Sequence, residues 1–173
     1  MVAQFVGSRV TTVDTASAGR IRPAMRADLV AVLRIERRVF PEPWTLASFE
    51  QFLDSPGFLV MEDPGGGGIG DELAGYVVAE TLDMGGRTVG HIKDLAVKPE
   101  RQGAGRGRAL LERALAVLSG QGASAAKLEV RPSNDRAIDL YRRYGFAVRT
   151  PDGDRAYRVT ADAAADLVTR YYG

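Results

Sequence analysis

Apolar residues in the first half of the chain change from helical to extended spacing. The stretch "ADLVAVLRIERRVF" predicts a helix, because its apolar positions recur at intervals of about three and four residues: Leu29, Val32, Leu33, Ile35 and Val39. Pro41 and Pro43 in "FPEPW" exclude its continuation. Thr45 follows, and its hydroxyl is placed to cap a second short helix through "LASFEQFLD".

Four extended runs in the same half predict strands. They are "GRIRPAM", "GFLVMED", "ELAGYVVAET" and "RTVGHIKDLAV". The second and third are separated by the glycine-rich "PGGGGIGDE", which predicts a flexible hairpin tip. The third and fourth are joined by "DMGG", which is typical of a tight turn.

The second half alternates helical and extended patterns. "RALLERALAVL" predicts a helix ended by Gly120 and Gly122, with one buried side: Leu110, Leu111, Ala114, Leu115 and Leu118. "AAKLEV" predicts a strand, and "SNDRAIDLYRRYGF" a helix capped by Ser133 and ended by Gly145. "FAVRT" and "RAYRVT" predict a hairpin, and "ADAAADLVTRYYG" has helix-like spacing. Strands connected by crossover helices imply a mixed α/β fold with a parallel element.

Composition narrows the classes of function. The 173 residues suit one domain, with 45% hydrophobic and 26% charged residues and a net charge of +1. We therefore expect no nucleic-acid or membrane partner, and the chain has no apolar run of the roughly 20 residues that a membrane span needs. It contains no cysteine and one histidine, which predicts no metal site and no cysteine nucleophile. Residues 1–19 predict a flexible tail before a single domain at 20–173, and a cytoplasmic location is expected.

The stretch "RQGAGRGRALLERAL" places three glycines directly before a predicted helix. Neither a P-loop nor a dinucleotide fingerprint fits, because no Lys-Ser/Thr pair follows and the third fingerprint position falls on Leu110. Unpaired N–H groups at a helix start bind anions, and glycines let a pyrophosphate approach them closely. Arg106 and Arg108 could add positive charge at the rim. A tight turn without a ligand is the alternative.

The same stretch, read as "LAVKPERQGAGRGRALL", resembles the acetyl-CoA-binding motif of the GCN5-related N-acetyltransferase (GNAT) superfamily. Its Gln/Arg-x-x-Gly-x-Gly/Ala pattern is matched by Gln102, Gly105 and Gly107. "KLEVRPSNDRAIDLYRRYGF" and "RIRPAMRADLVAVLRIERRVFPEPWTLASF" resemble further segments, most closely those of the protein N-terminal acetyltransferases. The resemblance implies a single-domain fold at 20–173, with a mixed central sheet flanked by helices. A splayed pair of parallel strands would hold acetyl-CoA, the co-substrate.

The resemblance also implies roles for individual residues. Glu129 would be the general base and Tyr141 the general acid, while His91 competes with Glu129 as base or relay. Asn134 and Tyr141 lie seven residues apart, two helical turns, and therefore share a face. The implied acetyl-CoA contacts are Leu95, Ala96, Val97, Gln102, Gly103, Ala104, Gly105, Arg106, Gly107, Arg108, Asn134 and Tyr141. The implied acceptor contacts are Phe40, Pro41, Glu42, Pro43 and Trp44. Four of these residues also have a purely structural explanation. Tyr141 could be a core residue, Glu129 a solvent-facing strand residue and His91 a strand histidine with a hydrogen-bond partner. Trp44 could simply hold the first two helices onto the sheet.

Three functions fit these residues. The first is acetyl transfer to the α-amine of a protein N-terminus or peptide, for example of a ribosomal protein, by a monomer or weak homodimer. The second is acetylation of a small amine, and the third is non-catalytic binding of acyl-CoA. The tyrosine-rich loop that related enzymes carry between their last two strands has no counterpart, because the short "PDGD" stands there and "RYYG" ends the chain. Either the hairpin is shortened or the closing strand is missing.

Overall fold

A computed structural model describes residues 19–65, 72–131, 134–144, 146–149 and 157–161. Several sequence predictions lie outside these residues. They concern the N-terminal tail, most of the "PGGGGIGDE" tip, the helix end at Gly145, the "PDGD" turn and the helix-like pattern after Ala161.

The described residues form seven strands and four α-helices close to the predicted positions. The strands are β1 (Ile21–Pro23), β2 (Gly57–Glu62), β3 (Leu73–Asp83), β4 (Thr88–Val97), β5 (Ala125–Val130), β6 (Ala147–Arg149) and β7 (Tyr157–Ala161). The helices are α1 (Leu29–Val39), α2 (Leu46–Glu50), α3 (Arg106–Gly120) and α4 (Asp135–Arg143), with short 3₁₀ turns at Arg26–Asp28 and Pro99–Arg101.

The caps follow local chemistry. The Thr45 hydroxyl accepts a hydrogen bond from the Ser48 N–H (3.2 Å), as the sequence predicts. At α4 the predicted cap, Ser133, is wrong by one residue: the N-cap is Asn134, whose Oδ1 accepts from the Ala137 N–H at 3.1 Å. The predicted terminal hairpin is confirmed as β6 and β7, which pair antiparallel. The closing strand is therefore present.

All seven strands form one mixed sheet in the order β1-β2-β3-β4-β5-β7-β6. Neighbouring strands are antiparallel except β4 and β5, which are parallel. Helix α3 packs on one face through the five residues that the sequence predicts as its buried side. Helices α1 and α2 cover the opposite face over a second apolar cluster that includes Phe49, Phe58 and Tyr76. The mixed α/β prediction is confirmed.

Strands β4 and β5 diverge halfway along β4. Their pairing runs from Val89 opposite Ala125 to Ile92 opposite Leu128 and stops there. At the same point Val78 of β3 pairs with Asp94 and Ala79 with Ile92, so Lys93 is the extra residue of a β-bulge. A bulge increases local twist and bends its strand. The predicted splay of the parallel pair is thus observed, and it opens at the bulge.

Helix α3 is held against β4 at a position where only glycine fits. A Cβ at Gly90 would lie 2.7 Å from Leu118 Cδ1 and 3.2 Å from Leu118 Cβ, and Leu118 is fully buried. We expect Gly90→Ala to lower the free energy of unfolding by about 1–3 kcal/mol, because the packed core must shift. Urea denaturation followed by circular dichroism measures this change.

Gly120 provides the matched control at the end of the same helix. A Cβ there meets nothing within 4 Å, and the backbone does not have a positive φ. Gly120→Ala should therefore leave stability unchanged or raise it by up to about 1 kcal/mol, since alanine restricts the unfolded chain. Equal effects of the two substitutions would contradict this account of the α3–β4 contact.

Candidate active site

A cleft of about 560 Å³ lies where β4 and β5 diverge. Its floor consists of residues at the diverging strands: Ile92, Lys93, Asp94, Leu95, Leu128, Glu129, Val130 and Arg131. One wall comes from α1 and the loop after it: Glu36, Val39, Phe40, Pro41, Glu42 and Trp44. Asn134 and Tyr141 of the α4 segment complete the lining. Of the predicted residues, Glu129 and Tyr141 for catalysis, Phe40, Pro41, Glu42 and Trp44 for the acceptor, and Leu95 and Asn134 for acetyl-CoA meet in this cleft. The lining does not include Pro43, His91, Ala96, Val97 or the predicted acetyl-CoA contacts of the glycine-rich turn, residues 102–108.

The glycine-rich turn leads into α3 beside the end of β4. Gly103 and Gly105 have φ of 89° and 77°, a left-handed backbone that favours glycine. Gly105 is the N-cap of α3 and no side chain caps it, so its first N–H groups have no side-chain acceptor. A Cβ at Gly107 would stand at ordinary contact distance, 3.8 Å from Val97 and 3.9 Å from Leu95. This donor set fits the pyrophosphate that the resemblance implies.

The polar side chains of this turn have partners within the protein. Gln102 Nε2 donates to the Val97 carbonyl at 3.0 Å, and Gln102 Oε1 accepts from Arg136 at 3.2 Å. Arg106 donates to the carbonyl of Arg101 at 3.2 Å. Arg108 forms an ion pair with Glu112 at 2.9 Å. Gln102 thus ties the turn to β4 and α4. Arg106 adds positive charge near the helix start, whereas Glu112 offsets the charge of Arg108.

Tyr141 is both a core residue and a residue of the cleft. It is 7% exposed and its ring packs edge-on against Phe146 at 5.9 Å between centroids. Burial, and then the charge of Asp94, raise the pKa of Tyr141 to about 12. The hydroxyl consequently stays protonated at neutral pH, as a proton donor requires. Core packing of the Tyr141 ring is therefore compatible with a role of its hydroxyl as general acid.

Glu129 and His91 lie on the sheet face that carries α1 and α2. His91 pairs with Lys127, two residues before Glu129, and with Glu80 on the other side. Glu129 is exposed and lines the cleft, whereas His91 is half-buried and does not. Burial, followed by the positive charges of Lys127 and Lys93, lowers the pKa of His91 below its ordinary value of 6.5. His91 is therefore neutral above that pH.

The loop after α1, residues 40–44, is held in place by contacts with buried residues. Its Trp44 ring packs on Phe49 of α2 and on Phe52 just after that helix, with centroids at 5.3 and 5.9 Å, and it also lines the cleft. The backbone N–H of Trp44 donates to Glu36 Oε1 at 2.7 Å. Glu36 is 1% exposed and belongs to α1. The loop therefore takes its position from a buried carboxylate.

Sequence reasoning missed the cluster of Glu36, Tyr76 and Asp94. The Tyr76 hydroxyl hydrogen-bonds Glu36 Oε2 and lies 2.8 Å from Asp94 Oδ2. A signal was present, because Glu36 falls four residues after Val32 on the apolar side of α1. Asp94 likewise interrupts the apolar strand run "HIKDLAV". Polar residues at positions that periodicity assigns to the core must find partners there.

No group of three or more potential metal ligands occurs within the described part of the chain. Among those same residues, no helix is long and apolar enough to cross a bilayer.

Known proteins match this chain over most of the described residues. The sequence profile of the acetyltransferase (GNAT) family matches residues 29–146. The ribosomal protein bS18-alanine N-acetyltransferase of Escherichia coli is 32% identical over 147 residues, 82% of this chain and 88% of that protein. A mycothiol acetyltransferase of Propionibacterium freudenreichii is 33% identical over 103 residues, which are 60% of this chain but only 31% of that longer protein.

A solved structure agrees with the observed fold. The crystal structure of Ard1 from Thermoplasma volcanium superposes with a TM-score of 0.71 at 28% identity, covering 83% of this chain and 97% of that one. The profile spans α1 to the end of α4, the segment that contains the glycine-rich turn and both diverging strands. On this evidence the chain belongs to the acetyltransferase (GNAT) family and is an acetyl-CoA-dependent N-acetyltransferase.

Proposed function

We propose that this enzyme acetylates the N-terminal α-amine of a protein or peptide. The observation that carries the proposal is the position of the loop at residues 40–44, which faces Glu129 and Tyr141 across the cleft. The Escherichia coli relative is named for an alanine of a ribosomal protein, and its length is nearly matched by this chain. A protein N-terminus of that kind is therefore the first acceptor to test.

Acetyl-CoA supplies the acetyl group as an activated thioester. The N–H groups at the start of α3 would bind its pyrophosphate, and Gly103, Ala104, Gly105 and Gly107 would let it approach the backbone. The diverged end of β4, at Leu95, Ala96 and Val97, has lost its β5 neighbour and can offer backbone groups to the acyl arm. Asn134 lies beside this path, with its Oδ1 engaged in the cap of α4.

Glu129 would take a proton from the acceptor amine. A peptide α-amine has a pKa near 8, so about a tenth is neutral at pH 7 and a modest base suffices. Glu129 is the exposed carboxylate on the cleft floor, whereas His91 lies outside the lining. Tyr141 would donate its proton to the departing sulfur, since its hydroxyl remains protonated at working pH. His91, neutral and near Glu129, is left as a relay.

Acetylation of a small amine is the second candidate. It is favoured by the 103-residue similarity to a mycothiol acetyltransferase, although this chain spans only 31% of that protein. The two candidate functions differ in how much of the loop at residues 40–44 the acceptor contacts. A peptide must extend along this loop beyond its first residue, whereas a small amine need not.

The acceptor is tested by offering peptides with different first residues, and small amines, together with acetyl-CoA. We expect acetylated peptide by mass spectrometry, with a preference set by the first residues. Alanine substitutions of Glu42 or Trp44 should raise the KM of the peptide more than that of a single amino-acid amide. Acetylation of small amines alone would make the second candidate the function.

Gly107 tests the pyrophosphate site. Gly107→Val should fold, because its Cβ meets Val97 and Leu95 only at ordinary distance, yet its branches should crowd the N–H groups of α3. We expect acetyl-CoA affinity to fall about tenfold to hundredfold, the equivalent of one charge-assisted hydrogen bond of about 1.5–3 kcal/mol. Isothermal titration calorimetry measures it.

Gly120→Val is the control, since it makes the same change at the far end of α3 in open space. Wild type and control should both gain roughly 2.7 kcal/mol of stability when acetyl-CoA is present at about 100 times its Kd. Normal affinity in folded Gly107→Val would place the phosphate site elsewhere. Gly105→Val is a poorer test, because its left-handed backbone strains any branched residue.

The proton transfers are tested by pH profiles between 6.5 and 9. Tyr141→Phe should lower turnover about a hundredfold while acetyl-CoA affinity stays near normal, since packing is kept and only the hydroxyl is lost. Glu129→Gln should show its largest deficit at pH 6.5, and the deficit should shrink as more amine becomes neutral. The same profile in His91→Asn, with Glu129→Gln unaffected, would assign the base to His91. Wild-type rates in all three variants would contradict these roles.

A further inference from the structure

A hydrogen-bonded cluster of three buried polar side chains lies beneath the loop at residues 40–44. Tyr76 of β3 is fully buried, Glu36 of α1 is 1% exposed and Asp94 of β4 is 9% exposed. The Tyr76 oxygen is within hydrogen-bond distance of both carboxyl groups. Glu36 and Asp94 are close enough that the charge of Glu36 acts on the pKa of Asp94. Both carboxyl groups line the cleft.

The number of protons in this cluster follows from its geometry. A tyrosine hydroxyl carries one proton and donates one hydrogen bond, so it cannot satisfy two ionised carboxylates at once. Two buried carboxylates on either side of one hydroxyl also repel each other strongly. Both problems disappear if one carboxyl group carries a proton. That carboxyl then donates a hydrogen bond within the cluster, and every oxygen keeps a compatible partner.

The proton is placed on Asp94, because each oxygen of Glu36 accepts a separate donor, whereas among the described residues Asp94 accepts only the backbone N–H of Leu95 besides its contact with Tyr76. Glu36 Oε1 accepts the N–H of Trp44 at 2.7 Å, and its Oε2 accepts the Tyr76 hydroxyl. Both oxygens of Glu36 therefore act as acceptors. Because the Tyr76 proton is directed to Glu36, a neutral Asp94 can donate to the Tyr76 oxygen at 2.8 Å. The order of donation is then Asp94 to Tyr76 to Glu36.

We propose that Asp94 is a positioning residue for acceptor binding and acts in its neutral form. Its proton completes a series of hydrogen bonds from Asp94 through Tyr76 to Glu36. Glu36 in turn accepts the amide N–H of Trp44 and so positions the loop at residues 40–44. Loss of that proton places two negative charges across Tyr76 and weakens the hold on the loop. The inference rests on the proposed function in one respect, that this loop contacts the acceptor.

The surroundings of Asp94 support a neutral form at physiological pH. Burial, and then the charge of Glu36, raise the pKa of Asp94 to about 8. From the neighbouring elements it faces Glu36 of α1, Tyr76 of β3 and Tyr141 of α4, whose pKa its charge helps to raise. Further charged groups line the same cleft: Glu42, Lys93, Glu129 and Arg131. Lys93 is paired with Glu80 at 3.0 Å.

Acceptor kinetics test the role. In the wild type, kcat/KM for the peptide should fall above pH 8, and by about tenfold per pH unit beyond the pKa, because only neutral Asp94 positions the loop. Asp94→Asn should keep activity at pH 7 and lose this alkaline fall, since its amide donates to Tyr76 at every pH. Tyr76→Phe and Glu36→Gln should raise the peptide KM across the whole range without changing acetyl-CoA affinity.

A second measurement is independent of catalysis. An acid whose folded pKa is raised makes the folded state less stable as pH climbs from its unfolded pKa to its folded pKa. We therefore subtract the denaturation midpoint of Asp94→Asn from that of the wild type. This difference should decrease as the pH is raised from about 4 to about 8, and should stay constant at higher pH.

Asp28→Asn is the matched control, a second buried aspartate that lies outside the cleft lining. Burial alone would raise the pKa of Asp28, but hydrogen bonds from Arg22 and the Met25 N–H lower it below its ordinary value. Asp28 thus contributes stability that is lost as pH falls, the opposite sign. The alkaline fall in kcat/KM should persist in this variant.

Any of three results would overturn the proposal. One is a midpoint difference between wild type and Asp94→Asn that does not change between pH 4 and 8. The second is an alkaline fall in kcat/KM that Asp94→Asn retains, and the third is a loss of activity at pH 7 in Asp94→Asn as large as that in Tyr76→Phe. If small amines rather than peptides are acetylated, the proposed function fails, while the midpoint difference still decides the protonation of Asp94.

Discussion

The loss of pairing between β4 and β5 is the constraint on which the rest of the site depends. Two parallel strands that stay hydrogen-bonded leave no space between them and no backbone group for a ligand. Here pairing ends at Ile92 and Leu128, and the bulge at Lys93 turns β4 away. The cleft, the exposed strand end at Leu95 and the approach to α3 all follow from that single divergence.

The divergence is maintained from both faces of the sheet. On one face, Gly90 lets Leu118 of α3 settle against the paired half of β4. On the other, Tyr76 and Asp94 join β3 and β4 to Glu36 of α1. An apolar contact therefore secures the closed end of the strand pair and a hydrogen-bonded polar cluster lies at its open end. Polar groups at this depth fix a unique arrangement, because each must keep its partners.

The cleft also divides its tasks between rigid elements and a loop. The start of α3 and the side chain of Tyr141 sit on helices packed into the core, which suits a co-substrate that is the same in every cycle. The wall at residues 40–44 is a connection between α1 and α2, held at one point by Glu36. If that loop contacts the acceptor as we propose, variation in it would change the acceptor without disturbing the acetyl-CoA side.

The sequence by itself determined the order of elements, the buried side of α3 and the glycine-rich turn, because periodicity, capping residues and glycine act over a few residues. It also indicated Glu129, Tyr141 and Trp44, which the fold brings to one cleft. Only the tertiary structure decided that His91 lies outside the lining and that Gln102 is engaged by Arg136 of α4. The same is true of the Glu36, Tyr76 and Asp94 cluster, whose members are 18 to 58 residues apart in the sequence. Their proximity comes from packing α1 on the sheet, and no local pattern encodes which buried polar groups will meet.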